Sequence, residues 1–253
     1  MNVIMVLAAI LFVLMALVGG SKGVRSFFAL FLNFGVLVFM LFFMTNPDVN
    51  PVIVTFFASI LVCCIGLFFI NDVNSKTVIA FVSTMIVISV LLFFIVKLSD
   101  GMMIQGFGEE ETESLSGLSL YVGVDFVKVG ASVVIISTIG AILDVAISIT
   151  SSMQEMHRRN PRLQRDELAA AGMDVGRDIL GTDTNTLFFA FFGGYLALLI
   201  WFKDLHYSVG EIINAKVFSS EVLLVFSAGI GVALVIPVAS WLSAAYLVRK
   251  RAS

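Results

Sequence analysis

Asp144 is a carboxylate inside an apolar run. Its neighbours are Ile142, Leu143, Val145 and Ala146, and no Lys or Arg stands within four positions. An ionised side chain near a bilayer centre costs about 2.5–3.5 kcal/mol on insertion scales. A carboxyl group there carries a proton or meets a partner from another helix; a structural interhelical hydrogen bond is the plain alternative. Gly140 and Ser148 share its face at helical spacing. A second polar group, Gly181-Thr182-Asp183-Thr184-Asn185-Thr186, opens the next apolar run. Asp183 fits an N-cap stabilised by the helix dipole. If the two runs are antiparallel neighbours, Asp144, Ser148, Asp183, Asn185 and Thr186 converge on one polar pocket. Oxygen donors of this kind suit a proton or a hard cation. Asp125 and Lys128, three residues apart, are positioned to form an ion pair at the outer interface. His157 and His206 are solitary and expected in loops, so no metal cluster is expected. Gly106-Phe107-Gly108 lacks the G-K-[ST] of a phosphate loop, and nothing else suggests a cofactor.

These residues need membrane helices to hold them. Of 253 residues, 59% are hydrophobic and 13% charged, and the mean hydropathy is +1.05. Soluble domains carry about 25% charged residues, so a water-soluble globule is excluded. Cys63 and Cys64 adjoin within an apolar run, which suits packing in the bilayer rather than a disulfide framework. Apolar runs of roughly 20 residues cross about 30 Å of hydrocarbon as helices. The reading is an all-α polytopic membrane protein forming one transmembrane domain over 1–253. It has about seven spans, near 3–20, 26–45, 52–70, 77–97, 124–150, 183–202 and 222–248. Gly193, Gly194, Gly229 and Gly231 permit close helix contact, and Pro237 is expected to kink the last span.

Basic residues sort between alternate loops. Lys22, Arg25, Lys76, Arg158, Arg159, Arg162, Arg165, Arg177, Arg249, Lys250 and Arg251 fall on one side, against Lys97, Lys203 and Lys216 on the other. The positive-inside rule then puts the N-terminus outside and the C-terminus in the cytoplasm. The first span has no basic residue before it and reads as an outside-in anchor, not a cleaved signal. The outer loop near 98–122 carries Glu109, Glu110, Glu111 and Glu113 and reads as a solvated acidic turn. In the inner loop, Asn160-Pro161 reads as a helix start. Leu168, Ala171, Val175 and Ile179 recur at helical spacing, predicting a cytoplasmic amphipathic helix over about 161–180, with arginines near anionic headgroups.

The run Ile139-Gly140-Ala141-Ile142-Leu143-Asp144-Val145-Ala146-Ile147-Ser148, with Gly176-Arg177-Asp178-Ile179-Leu180-Gly181-Thr182-Asp183-Thr184-Asn185-Thr186-Leu187, resembles the YibE/F family of bacterial multi-pass membrane proteins. The resemblance is specific over about 124–202 and looser elsewhere. It implies a bacterial plasma membrane location and a larger related membrane protein as partner. A more distant resemblance is to the membrane half of the RND and SecD/SecF permeases, where the position of Asp144 belongs to a proton relay. Those relays commonly use two adjacent Asp, whereas Val145 follows Asp144 here, and their large periplasmic domains are missing.

Three functions compete. One is a secondary transporter, or its membrane subunit, coupled to a proton or cation through Asp144. A second is an accessory or scaffold subunit without transport of its own. The third, a membrane enzyme, is not expected: Leu143 rather than Tyr precedes Asp144, Gly181-Thr182-Asp183 is not G-x-G-D, and Ile236-Pro237-Val238 is not P-A-L. The expected partners are the lipid bilayer and the larger relative, and no nucleic acid is expected.

Overall fold

The computed structural model describes residues 3–102 and 125–252. The acidic outer loop and Gly106-Phe107-Gly108 lie outside them. Among the described residues the fold is all helix: α1 (Val3–Met44), α2 (Pro51–Cys64), α3 (Ser75–Met102), α4 (Phe126–Arg159), α5 (Arg165–Gly194), α6 (Leu196–Asp204), α7 (Val209–Asn214) and α8 (Lys216–Ala252). A π-helical turn, Ile65–Phe69, extends α2. Among the described residues, five helices are long and apolar enough to cross a membrane, and α5 with α6 forms a sixth candidate broken by a 51° bend. The protein is therefore a multi-pass membrane protein.

At 42 residues, α1 would be roughly 63 Å long at 1.5 Å per residue, about twice the hydrocarbon thickness. It is not one rod. Gly20 has φ 57° and ψ −137°, a left-handed backbone that strains any residue with a Cβ. There the chain folds back into two arms, 3–19 and 21–44. Phe12 of the first arm meets Phe27 of the second with ring centroids 5.0 Å apart. Gly23 lies against the Met15 carbonyl, leaving no room for a side chain. No residue of 3–22 is buried, so the first arm is a peripheral helix.

Local chemistry explains the other boundaries. Asn50 caps α2 through its side chain, with Pro51 at the first helical position. Asp125 caps α4, accepting from the amides of Val127 and Lys128. The segment that begins α5 differs from its predicted form in two ways. It starts at Arg165 rather than Pro161, because Gln164 and Glu167 form a capping box, while Asn160 ends α4. It also continues unbroken to Gly194, so the expected amphipathic helix and the start of the next span are one element.

That continuity has a packing cause. Leu168, Gly172 and Gly176 of α5 are buried in the bundle. A Cβ on Gly172 would lie 2.5 Å from Met153 Sδ of α4 and 2.8 Å from Ser240 Oγ of α8, and Gly176 sits directly on Ile236 of α8. These close approaches hold α5 against the bundle instead of along the interface. The core runs through α3, α4 and α8, with Ile88, Ile135, Ile142, Val145, Ile149, Val232 and Val235 almost fully enclosed. Gly231 of α8 makes the threefold contact possible, since a Cβ there would fall 2.6 Å from Ile142 and 3.0 Å from Leu91. Gly193 and Gly194 serve differently: they stand in open space, just before the α5–α6 bend. Pro237 lies inside α8 without ending it.

The helix ends sort into two sides. Arg25 pairs with Asp72, Ser75 lies 3.3 Å from the Tyr246 hydroxyl, and Arg165 stacks 4.8 Å above the Trp241 ring. Those contacts gather the basic ends at one face. At the other, residues 46–51 share a cleft with Asp125 and Lys128.

Candidate functional site

The candidate site is carried by α4 and α5, which run antiparallel and share depth through the Met153–Gly172 contact. On α4, Leu143 packs on Gly66 of the π-helical turn, where a Cβ would be 3.1 Å away. Val145 and Ala146 are fully buried. With these neighbours turned inward, Asp144 is exposed beside the bundle, in line with the exposed Ser137, Gly140 and Ser148.

On α5, Asp183 is half-buried. It lies two turns beyond Gly176, on the face that packs inward. Thr184, the next residue, turns to α8, where a Cβ on Gly229 would be 3.8 Å from Thr184 Cγ2. Asp183 is close enough to Asp144 for the two like charges to repel. Neither carboxyl group forms an ion pair or a hydrogen bond among the described residues.

The sequence-derived set is therefore divided. Asp144 and Asp183 come together. Ser148 shares the Asp144 face, one turn nearer the basic end. Thr186 is exposed, and its hydroxyl donates to the Thr182 carbonyl at 2.9 Å, a back-bond along its own helix. Asn185 is exposed and lies about 200° around the helix from Asp183 at 3.6 residues per turn, so it leaves the pocket. The N-cap reading of Asp183 is replaced: it stands in the interior of α5. Among the described residues no group of three or more His, Cys, Asp or Glu gathers to hold a metal. His157, expected in a loop, belongs to the last turn of α4.

Asp125 and Lys128 form an ion pair of 2.8 Å, each side chain 43% exposed, at the start of α4. The hydrogen bond from Lys128 holds the Asp125 carboxyl below its ordinary range, and the amides it caps act in the same direction.

Two features lay beyond sequence reasoning. The π-helical turn beside Leu143 has no signal in Ile-Gly-Leu-Phe-Phe. The Tyr195 hydroxyl donates to Glu221 and ties the α5–α6 bend to the start of α8. Its sequence signal is faint: a polar aromatic after Gly193-Gly194 and a glutamate at the edge of an apolar run.

Arranged this way, two unpaired carboxyl groups on adjacent membrane helices can take up and release a proton, or share a small cation with hydroxyl groups near them. No curated protein and no solved structure matches the chain. The sequence does match the family model described as YibE/F-like protein over residues 7–249. That match covers nearly all the helices described above, Asp144 and Asp183 included, and the chain belongs to the YibE/F-like family.

Proposed function

We propose that this chain is a transport protein, or the membrane subunit of a transport complex, coupled to a proton or cation through Asp144 with Asp183 as its neighbour. One observation carries the reading: two carboxyl groups on consecutive antiparallel helices approach each other, and among the described residues no basic side chain pairs with either. Like charges in a poorly hydrated place disfavour double ionisation, and relieving that repulsion takes a proton or a cation. Intramembrane carboxylates also commonly mark ion pathways. The distant resemblance to RND and SecD/SecF permeases points the same way as an analogy of pattern. In this reading the protein sits in the bacterial plasma membrane, crosses seven times, and keeps its basic face in the cytoplasm.

Proton flux in proteoliposomes tests it. With an internal pH dye and an imposed pH gradient, the wild-type protein is expected to dissipate the gradient. Asp144→Asn should abolish the flux, and Asp144→Glu should retain part of it. Undiminished flux in Asp144→Asn would rule the coupling out. The second reading, an accessory subunit that pairs with a larger family member, is favoured by the exposed first arm of α1, which no other described helix covers. It predicts no flux from the chain alone and flux only after co-reconstitution with that relative.

A further inference from the structure

By composition α5 and α6 read as one crossing with a bend in it, but their lengths and contacts separate them. α5 has 30 residues, roughly 45 Å at 1.5 Å per residue, whereas a crossing needs about 30 Å. The crossing is therefore complete before α6 begins. Four contacts fix where it ends. Gly176 sits on Ile236 and Thr184 reaches Gly229. Phe191 meets Phe218 with ring centroids 5.8 Å apart, and the Tyr195 hydroxyl donates to Glu221. The pairing of α5 with α8 thus continues to the first two turns of α8, which starts at Lys216. There α6 turns away by 51°. The return is pinned at the same place, because the Ser219 hydroxyl donates to the Ile213 carbonyl of α7 at 2.6 Å. Residues 196–214 therefore leave and rejoin the bundle at one level, the end of α8 away from the basic face. With nine residues, α6 is roughly 13 Å long and cannot carry them far from that level.

Along this excursion the open side chains are apolar. Leu196, Ile200 and Trp201 share one exposed side of α6, and Val209 and Ile213 are exposed on α7. Phe202, on the opposite side of α6, is fully buried and stacks on Tyr207 with ring centroids 5.5 Å apart. Until its last turn, α6 is therefore apolar on its open side as well as its buried one, a pattern that belongs in lipid rather than in water. The charged residues Lys203 and Asp204 come at its end. We infer that α6 and α7 lie within the leaflet at this end of the bundle, at the boundary between headgroups and acyl chains. Lipid is then the partner of their open face. That face continues the lipid-facing surface of the bundle. Phe189 of α5 and Phe226 of α8, each within two turns of the Tyr195–Glu221 contact, are 72% and 61% exposed. Trp201 then sits at the depth where amphipathic rings gather in membranes, and Lys203 extends its ammonium group toward the lipid phosphates.

The inference does not depend on proton coupling, and its test reads depth instead of flux. The chain has two tryptophans. Trp241→Phe keeps a ring beneath Arg165 and leaves Trp201 as the reporter. The full chain is reconstituted in phosphatidylcholine vesicles that contain phospholipid brominated either near the headgroup or near the methyl end of its acyl chains. Trp201 should lose most of its emission to bromine near the headgroup, less to bromine near the methyl end, and little to iodide in the water. Dominant quenching by iodide would place the face in water, and dominant quenching by the deep bromine would place it at the bilayer centre. Silence to all three would mean that a protein surface covers it. Each of these results would overturn the inference. A second set of variants leaves Trp241 in place. With Cys63→Ala and Cys64→Ala, Ile200→Cys should react far more slowly than Asp204→Cys with a charged maleimide in open membrane fragments. Equal rates would also overturn it.

Discussion

Asp125 and Asp144 show how one residue type serves two ends on the same helix. Asp125 has everything a carboxylate wants at the membrane edge: two amides to cap and a lysine 2.8 Å away. Asp144 has a like charge and a row of small exposed neighbours. The Asp125 carboxyl group is held low by the hydrogen bond from Lys128, which fixes the sign of its contribution. A depressed folded pKa gives stability that is present above the unfolded value of about 3.9 and lost as pH falls through the folded one. Both partners are 43% exposed, so the pair is worth about 0–1 kcal/mol. Lys128→Ala should therefore lower the thermal midpoint slightly at neutral pH. That difference should shrink as pH falls below about 3.9 and vanish below the depressed folded value, where Asp125 is protonated in either protein. Melting curves of the detergent-solubilised proteins across pH check both parts.

At the scale of elements, the seam between α5 and α8 positions Asp183. Gly176 touches Ile236 with no space for a methyl group, and Asp183 follows two turns later on the same helix. Gly176→Leu should overpack the seam and cost about 1–3 kcal/mol. It should also push α5 away from the bundle and separate Asp183 from Asp144, so proton flux should fall along with the melting temperature. A stable protein with normal flux would show that the seam does not set the site. Much of this arrangement was legible in the sequence, because charge-free runs and the lone Asp144 are strong signals in an apolar chain. The single helix over 165–194 was not. Arg162, Arg165 and the acidic residues around Leu168 look like an interfacial helix when read by composition, whereas the Gly172 and Gly176 contacts that bury it depend on partners distant in sequence. Asn185 was grouped with Asp183 by adjacency, and a helix separates residues two apart. The fold at Gly20 was partly legible, since Gly19-Gly20 precede Lys22 and Arg25.

For the whole molecule, the sorting of helix ends gives the orientation a physical test. The Arg25–Asp72 pair, the Ser75–Tyr246 contact and the Arg165–Trp241 stack lie on one face. The residues near Asp48 share the opposite cleft with Asp125. In the proposed orientation the first face is cytoplasmic. A fluorescent protein fused after Ser253 should then fold and fluoresce in the cytoplasm, while a periplasm-dependent phosphatase at the same position should stay inactive. Fusions after Asp48 should behave the other way round. An active phosphatase after Ser253 would invert the orientation and move the acidic loop to the cytoplasm.

The central claim is that Asp144 is a membrane carboxyl group that exchanges a proton or cation. A hydrophobic carbodiimide, which modifies protonated carboxyl groups in apolar surroundings, addresses it most directly when the labelled sites are located by mass spectrometry in intact membranes. The account predicts modification at Asp144 at neutral pH, weakened in Asp183→Asn, with Asp48 and Asp72 in the loops left unmodified. Labelling of Asp144 no greater than that of Asp72 would contradict it.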